Sequence, residues 1–449
     1  MFSCPFYILG YAYLKLAKLS IMIRISLFIF FFISTFPMMA QGPFNQWIKP
    51  RENRKIEPFV MVQLWGNYTF NQEIYNQNSG VYEAVDNRWN MVLRRARLGF
   101  RAEPYSNLKF TLTTAYDMIG RDLLSGLNGG KNNGSLPNIG VWDAFFQWRI
   151  KPESEAFNLI GGYFRPQFSR ESITSAWSIT SMEKAMSQNY IRKHLTGIGS
   201  GRALGLNLGG LLKKEDAVLG INYNVGIFNP VSLAFDGNSV GTSFAPLIVA
   251  RSVFTFGDPE MTNYKIGYDI NYYSQRRGFS LALAGAWQGQ TDRFKASYAT
   301  GVDALFNWGP VNIDGEWSLM WRKGTSDTKE FTHNYQAGHI RLGYNVIMAN
   351  RFFLEPTFML MAFNGAMSTP DQLEASLIGA SAGEERTFDL GINWYLDKKR
   401  LKLMIHYTWR SGNTGEAIDG NTVNNLFSQS GLGAIKRGNW LGLGINAIF

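Results

Sequence analysis

Residues 91–103, MVLRRARLGFRAE, decide the fold, because side chains of similar character recur at every second position. On an extended strand, successive side chains point to opposite faces. One face of this segment carries Arg95, Arg97 and Arg101. The other face is mostly apolar and holds Val92, Arg94, Ala96, Leu98 and Phe100. A helix would scatter both sets around its axis, so the pattern predicts a strand with an arginine face and an apolar face.

The same period of two recurs in many segments of the chain. Clear examples are 203–212, 311–322, 386–397, 401–410 and 438–449. A soluble sandwich would bury the apolar faces between two sheets, whereas a membrane barrel would turn them to lipid and line a lumen with the polar faces. The strands are long enough for a tilted crossing of the hydrocarbon layer. Aromatic residues near strand ends suit interfacial girdles, as at Trp142, Trp148, Trp317 and Trp321.

The connections between candidate strands are of two kinds. Short turns occupy 104–107, 151–156, 213–216 and 397–400. Long polar loops occupy 71–88, 118–139, 165–202, 364–385 and 411–437. Short turns on one side and long loops on the other are typical of outer-membrane barrels. The connections therefore favour the barrel, and the soluble sandwich is the alternative.

The number of strands follows from a count corrected for parity. We find seventeen candidate strands between Phe59 and Phe449. Bacterial single-chain barrels have an even number, so we predict an all-β, transmembrane antiparallel β-barrel of sixteen strands, with eighteen as the second choice. The surplus strand should lie within 247–310. A barrel of this size leaves an aqueous channel, and the loop 165–202, after the fifth strand, is expected to constrict it.

Composition excludes several classes of protein. The 449 residues include 44 Lys and Arg against 34 Asp and Glu, yet only 17% are charged and 15% are aromatic. A disordered chain would have fewer aromatics and more charge, and the lone Cys4 excludes a disulfide scaffold. The four histidines lack metal-ligand spacing, so we predict no metal, no cofactor and no enzymatic activity. Because the arginines alternate with lipid-facing side chains, we expect no nucleic-acid partner.

The N-terminal segment is typical of export. Residues 25–39, ISLFIFFFISTFPMM, carry no charge but are fewer than the ~20 that a spanning helix needs. Arg24 precedes this run and Ala40 follows it, which is the layout of a secretory signal peptide. A short anchor helix is the alternative, and Met22 is an alternative start. The chain then divides into a signal peptide (1–40), a short N-terminal extension (41–58) and a β-barrel (59–449).

Export should remove the chain up to Ala40 and leave Gln41 as the first residue of the mature protein. The reason is the small residue that follows the apolar run, where signal peptidases cut. N-terminal analysis of outer-membrane fractions, allowing for a cyclised Gln41, measures this directly. Retention of residues 25–39 would show that the run is an anchor instead.

Four stretches resemble one protein family. LRRARLGFRAE (93–103), VWDAFFQWRI (141–150) and LIGGYFRPQFSRESITSA (159–176) occur in the order seen in the phosphate-selective porin O and P family. GINWYLDKKRLKLMIHYTW (391–409) is similar to the penultimate hairpin of that family. The resemblance spans most of the mature chain. It implies a sixteen-stranded, trimeric porin that passes anions across the outer membrane of a Gram-negative bacterium. Phe449 is similar to the terminal aromatic residue that the barrel-assembly machinery reads.

The family also implies an arginine ladder that leads to a constriction with clustered lysines. The arginine part matches this chain at Arg95, Arg97 and Arg101. The loop 165–202 contains Lys184 and Lys193 but no lysine cluster. The resemblance therefore supports a porin more strongly than it supports selectivity for phosphate.

Excess positive charge in the lumen is the feature that predicts the function. Rings of Arg and Lys select anions by replacing part of their hydration shell and repelling cations. The candidate anion-binding residues are Arg95, Arg97, Arg101, Lys109, Arg149, Arg165, Arg170, Lys184, Arg192 and Lys193. We predict an outer-membrane porin, embedded in lipid, for passive diffusion of small anions, with phosphate as the suspected solute. The alternatives are a general or sugar-passing porin with weak charge preference, a closed structural barrel, and arginines that only pair with lumen acids.

Overall fold

The computed structural model describes residues 50–449 except 128–138, 198, 213–218, 231–241, 327–328, 349–351, 416–427 and 430–431. The predicted signal peptide 1–40, the alternative start at Met22 and the predicted turn 213–216 lie outside the described residues. Of the predicted extension 41–58, only residues from Pro50 onward are described. They already belong to the first strand, which begins before the predicted boundary at residue 59.

The described chain is built mainly of strands. In chain order these are β1 (Pro50–Phe70), β2 (Gln72–Asn76), β3 (Val81–Val85), β4 (Arg88–Tyr105), β5 (Leu108–Ile119), β6 (Gly140–Arg149), β7 (Asn158–Phe164), β8 (Ala203–Leu212), β9 (Leu219–Asn229), β10 (Leu247–Gly257), β11 (Arg277–Gln288), β12 (Ala296–Trp308), β13 (Val311–Ser326), β14 (Lys329–Tyr344), β15 (Val346–Met348), β16 (Phe352–Asn364), β17 (Glu384–Asp397), β18 (Leu401–Asn413), β19 (Ser428–Gln429), β20 (Gly433–Lys436) and β21 (Asn439–Ile448). The helices are α1 (Arg170–Ile173), α2 (Ser187–Thr196) and α3 (Thr369–Leu377). Within the described residues, no helix is both long and apolar enough to span a membrane.

The larger sheet closes on itself as an antiparallel barrel. β14 and β15 both pair with β16 as two parts of one strand, so the barrel has sixteen strands. Each strand pairs with its neighbour along the chain, and β1 closes the ring by pairing with both β4 and β21. The remaining strands, β2, β3, β19 and β20, form a small separate sheet. The predicted sixteen-stranded barrel is confirmed.

The two ends of the barrel differ in their connections. At one end, called the short-turn end, strands are joined by 106–107, 150–157, 309–310 and 398–400. At the other end, called the long-loop end, the joins include 71–87, 120–139, 165–202 and 365–383. The pattern agrees with the predicted alternation of short and long connections.

One connection at the short-turn end is unusually long. The segment 258–276 joins β10 to β11 and accounts for the surplus strand predicted within 247–310. Apolar and polar side chains alternate along it as they do in a strand, but Tyr264 and Tyr268 are buried inside the barrel. The Tyr268 hydroxyl accepts a hydrogen bond from Asn222 of β9 at 3.1 Å. The segment is therefore a loop folded back into the lumen. Its apolar side chains recur at every second position because they pack against the wall of the barrel.

A β-bulge corrects the predicted faces of the segment 91–103. Gln63 of β1 lies opposite Arg95, but the next residue of β1 lies opposite Leu93, which leaves Arg94 as the extra residue. Such a bulge reverses the faces on either side of it. Arg94 and Val92, predicted to face lipid, are therefore buried inside the barrel together with Arg95.

Leu98→Arg should impair assembly of the barrel. Leu98 is 56% exposed on the outer face, whereas its neighbour Arg97 is 3% exposed on the inner face. An arginine on the lipid face costs about 2–4 kcal/mol at the bilayer midplane. Folding into lipid vesicles, read from the heat-modifiable mobility of the barrel on gels, measures this.

Leu98→Phe is the matched control and should fold normally, because it keeps the outer face apolar. Arg97→Ala should also fold, since it removes a charge from the inner face. Normal folding of Leu98→Arg together with failure of Arg97→Ala would mean that the two faces are inverted.

Candidate functional site

The segment 165–202, which joins the fifth barrel strand β7 to β8, lies inside the barrel. It contains α1 and α2 and reaches strands that are far apart around the wall. Gln63 of β1 donates to the carbonyl oxygen of Ala176 at 3.2 Å. The Ser169 hydroxyl donates to Glu316 of β13 at 2.7 Å. The segment therefore crosses the lumen and is anchored to opposite parts of the wall.

Local sequence explains how this segment folds. The Ser169 hydroxyl caps α1 by accepting a hydrogen bond from the Ser172 N–H at 3.1 Å. Gly197 ends α2 in the left-handed region with φ of 75°, a conformation that glycine adopts without steric cost. The Tyr190 ring of α2 stacks on Phe363 of β16 with centroids 3.7 Å apart. Capped helices with an apolar contact to the wall make the segment a fixed part of the lumen.

Arg170 lies on the side of the lumen that faces β10 to β12. Its guanidinium donates to both carboxylate oxygens of Glu260 at 2.7 and 2.9 Å, and to Asp303 at 2.8 Å. Arg251 of β10 also binds Asp303. The charge of Arg170, one of the predicted anion-binding residues, is therefore matched by carboxylates.

A second compensated group surrounds Arg341 of β14. Its guanidinium donates to Glu171 of α1 at 3.0 Å and to Asp314 of β13 at 2.9 Å. His339 lies 3.1 Å from Asp314, so these side chains include the ligand types of a metal site. Arg341 already supplies the cation that the two carboxylates need, and we assign no metal to this group.

A basic cluster on the opposite side of the segment is not compensated in this way. The guanidinium groups of Arg165 and Arg192 donate to the Ser172 carbonyl oxygen at 2.8 and 2.6 Å. The Lys184 ammonium donates to the Thr174 carbonyl oxygen at 2.6 Å. Within the described part of the chain, none of these three cations forms an ion pair with a carboxylate. The cluster therefore consists of three cationic side chains whose hydrogen bonds go to neutral oxygens rather than to carboxylates.

The pKa values of this cluster reflect the crowding of its charges. Burial lowers the pKa of Lys184 well below its ordinary value, and Arg192 and Arg165 lower it further. Burial and the charge of Arg202 lower the pKa of Arg192 to about 9. Desolvation and like charges both disfavour the charged form. An anion that entered the cluster would offset the repulsion between its like charges.

The wall beside the cluster contributes two further arginines stacked on one tryptophan. The guanidinium carbons of Arg202 and Arg97 lie 3.8 and 4.1 Å from the Trp142 ring centroid. Arg202 also pairs with Asp143 at 2.9 Å, and Arg97 pairs with Asp117. These contacts hold both guanidinium groups in place, since a cation over an aromatic face is attracted by the ring quadrupole.

Trp142 reaches this position through a second β-bulge. Thr113 of β5 lies opposite Asp143, but Thr114 lies opposite Val141, so Trp142 is the extra residue of β6. The bulge turns Trp142 inward, and the prediction that it belongs to an interfacial girdle is wrong. Bulges often occur next to functional sites because they redirect single side chains.

Arg95 and Arg94 hold the tip of the inserted segment. Both form ion pairs with Glu183, and Arg95 also donates to Gln63 at 2.8 Å. Burial raises the pKa of Glu183, but the two arginines outweigh this effect and lower that pKa to about 2. One carboxylate therefore faces two guanidinium groups, and a net positive charge remains here.

The other predicted residues lie apart from the cluster. Lys109 pairs with Glu103 at 3.1 Å and Arg149 with Glu155 at 2.6 Å, both near the short-turn end. Arg101, on the same inner face as Arg97, lies with its guanidinium 4.7 Å from the Phe59 ring centroid. Lys193 lines a separate, small cavity of about 30 Å³ with Arg293 and Arg322. The structure thus brings together Arg95, Arg97, Arg165, Lys184 and Arg192 among the ten predicted residues.

Three residues that lie beside the basic cluster were not among the predicted site residues: Arg94, Trp142 and Arg202. The sequence placed Arg94 on the lipid face and Trp142 at a strand end, because bulges interrupt the period of two. Arg202 is the last residue before β8, and its position at the end of the long loop was the only signal for it.

A closed sixteen-stranded barrel with a segment folded into its lumen defines an outer-membrane porin. The profile of one family, phosphate-selective porin O and P, matches residues 66–428. The chain belongs to this family. It is therefore a diffusion channel of the Gram-negative outer membrane. No curated protein matches the sequence.

Solved porin structures share the fold at low sequence identity. An anion-selective porin from Comamonas acidovorans is 12% identical, with a TM-score of 0.51 over 88% of this chain and 100% of that one. OprB of Pseudomonas putida is 10% identical, with a TM-score of 0.54 over 88% of this chain and 94% of that one. OmpF of Salmonella typhi is 12% identical, with a TM-score of 0.51 over 88% and 98%. At this identity the likeness establishes the fold alone.

Proposed function

We propose that this porin passes small anions, phosphate among them, by passive diffusion. The observation that carries the proposal is the basic cluster of Arg165, Lys184 and Arg192, whose hydrogen bonds go to carbonyl oxygens rather than carboxylates. A buried positive charge without a carboxylate attracts mobile anions strongly, because the surrounding low dielectric screens it little.

The charge balance around the cluster supports an anion preference. The cations are Arg94, Arg95, Arg97, Arg165, Lys184, Arg192 and Arg202, and the carboxylates are Asp117, Asp143 and Glu183. With every side chain counted in its ordinary charged form, seven cations against three carboxylates give a formal net charge of +4. Such an excess raises the local concentration of anions and lowers that of cations.

The geometry favours a path along the β4 to β7 side of the lumen. Asp117 and Asp143 there keep 21% and 25% of their side-chain surface exposed. On the opposite side, Arg170 and Asp303 expose only 1% and 4%. An anion following the more open side would pass the three cations of the cluster and the arginines on Trp142.

The test is the reversal potential of the purified channel in a planar bilayer under a salt gradient, with potassium chloride and then with potassium phosphate. The proposal expects anions to carry most of the current in both salts, and more strongly at low salt, where charges are screened less. The second candidate is a general porin with weak charge preference, which the three carboxylates of the site favour. A reversal potential close to zero would support it and overturn anion selectivity.

We also propose that the porin assembles as a homotrimer. The family resemblance and the exposed apolar outer face support this assembly, with side chains such as Leu206 and Leu319 available for contact with lipid or with another barrel. Light scattering of the detergent-solubilised protein, corrected for bound detergent, gives the mass of the assembly. A mass of one chain would contradict the trimer without affecting the proposed conduction.

A further inference from the structure

A row of aromatic side chains crosses the outer face of the barrel close to its long-loop end. Trp287 of β11 lies opposite Tyr298 of β12, and Tyr298 lies opposite Trp321 of β13. The Tyr298 and Trp321 rings stack with centroids 5.4 Å apart, and Trp287 is 44% exposed. The chain neighbours Ala299 and Met320 are buried inside the barrel, so the row faces outward. Aromatic side chains near strand ends on this face mark the boundary between the hydrocarbon layer and the lipid headgroups.

Two lysines lie between this row and the long-loop end. Lys323 is two positions beyond Trp321 on the same face of β13 and is exposed. Within the described part of the chain, its ammonium forms no hydrogen bond or ion pair. Lys295 precedes β12, donates its backbone N–H to the Lys323 carbonyl oxygen at 2.8 Å, and pairs its ammonium with Glu330. Both side chains of that pair are exposed, so the pair is weak and Lys295 stays accessible to another anion.

On the other side of the aromatic row, the outer face has a shallow hollow. Gly285 lies two positions before Trp287 on β11, between Ala250 of β10 and Thr300 of β12. A Cβ added to Gly285 would meet nothing within 4 Å. Leu283, two positions further from the row, is 55% exposed and borders the hollow on that side. The hollow therefore lies within the apolar band, directly next to the aromatic row.

These features match the parts of a lipid with a phosphorylated sugar headgroup. Ammonium groups donate to phosphate oxygens, and lysine stems lie along apolar surface while their charged ends reach the headgroups. Long loops lie on the external side of such barrels, so the two lysines face the outer leaflet. A free phosphate ion would not use the hollow. A second barrel would bury the Lys323 ammonium, which is costly unless the partner supplies a carboxylate.

We propose that this part of the wall, called the lipid face and defined by Gly285, Trp287, Lys295, Trp321 and Lys323, binds the phosphorylated glycolipid of the outer leaflet. The lysines bind its phosphate, the aromatic row contacts its sugars, and the hollow holds one acyl chain. The lipid face lies outside the barrel and shares no residue with the basic cluster, so it does not rest on the anion passage proposed above. Each barrel would thus carry a bound lipid at a fixed place on its wall.

Native mass spectrometry of the purified porin, mixed in detergent with diphosphoryl lipid A, tests this proposal. The wild type should retain the lipid and should bind its dephosphorylated form at least tenfold more weakly. Lys295→Gln combined with Lys323→Gln should weaken binding of the diphosphoryl form at least tenfold, because one lysine near an anionic lipid surface contributes about fivefold. Gly285→Phe should also weaken binding, since it fills the hollow without a change of charge.

The matched control combines Lys55→Gln with Lys151→Gln, which removes two exposed lysines near the short-turn end and should bind as the wild type does. Equal binding of the two lipid forms, or equal binding by the control and the Lys295 and Lys323 variant, would overturn the proposal. Displacement of the lipid by inorganic phosphate would indicate a simple anion site and overturn it as well.

Two further measurements separate the lipid face from other roles. A changed mass of the assembly in the Lys295 and Lys323 variant, with lipid binding unchanged, would show that this face contacts another barrel and would overturn the proposal. The reversal potential in a planar bilayer should be the same in this variant as in the wild type. Failure of the lipid site and failure of anion passage can therefore be told apart.

Discussion

Replacing Arg165, Lys184 and Arg192 together by glutamine should lower the ratio of anion to cation permeability about tenfold. The three side chains are cations of the inserted segment that form no ion pair with a carboxylate of the described chain. At an effective dielectric constant near 20, one charge within ~4 Å of a passing ion contributes up to about 4 kcal/mol, and a tenfold change needs only about 1.4 kcal/mol. Reversal potentials at low salt measure the ratio.

Glutamine is chosen because its amide can still donate to the Ser172 and Thr174 carbonyl oxygens, which preserves the fold of the inserted segment. The matched control replaces Lys55, Lys151 and Lys295, three exposed lysines, by glutamine and removes the same total charge. That control should keep the wild-type ratio. Equal loss of selectivity in both variants would show that overall charge, rather than the cluster, sets the selectivity.

Arg341→Met should lower the free energy of unfolding by about 3–5 kcal/mol, the usual cost of leaving buried charges without their partner. Glu171 and Asp314 lose their cation, and Glu171 is one of the residues, with Ser169 and Arg170, that hold α1 to the wall. Guanidinium unfolding in detergent micelles, followed by tryptophan fluorescence, measures the change. Conductance should rise in the same variant, because the inserted segment is less firmly anchored.

The control for this prediction is the triple variant Arg341→Met, Glu171→Gln and Asp314→Asn. It removes the charges from both partners, so most of the stability should return, since replacing both partners leaves no unpaired charge. Equal stability of the single and triple variants would mean that the buried ion pairs do not anchor the segment.

Lowering the pH should reproduce, in the wild-type protein, part of the loss of stability expected for Arg341→Met. Burial raises the pKa of Glu171, but Arg341 and His339 outweigh it and lower that pKa to about 2. A carboxyl whose pKa is lowered in the folded state stabilises it above the ordinary value of ~4.3 and loses this contribution as the pH falls towards 2. The difference in the free energy of unfolding between the wild type and Arg341→Met should therefore become smaller as the pH falls from 5 to 3.

The barrel could be predicted from the sequence because its apolar face repeats with a period of two. That period fails where a strand takes in one extra residue. Arg94 and Trp142 are such residues, and nothing in their neighbours marks the bulge. The period also misleads where a loop packs like a strand, as in 258–276. Both errors have the same cause. The alternation of apolar and polar side chains shows that one face is buried, but it does not show which backbone groups form hydrogen bonds.

The site could be predicted only as a set of cations in a long loop. Arg165 and Arg170 are five positions apart in that loop, yet only Arg170 is neutralised. Its partners Glu260 and Asp303 lie 90 and 133 positions further along the chain. Which cation keeps its charge is therefore decided by contacts across the lumen, and these depend on the closed barrel rather than on local sequence.

Closure of that barrel has a consequence for how the protein folds. β1 pairs with β21 over ten residues, from Met61 with Ile448 to Phe70 with Asn439. These partners lie at opposite ends of the described chain, and contacts between distant residues form slowly because the connecting chain loses much entropy. Until that ladder forms, β1 and β21 each have an edge of unpaired backbone groups, which can pair with another chain. The same ladder that closes the channel is thus the one that protects the newly made chain from aggregation.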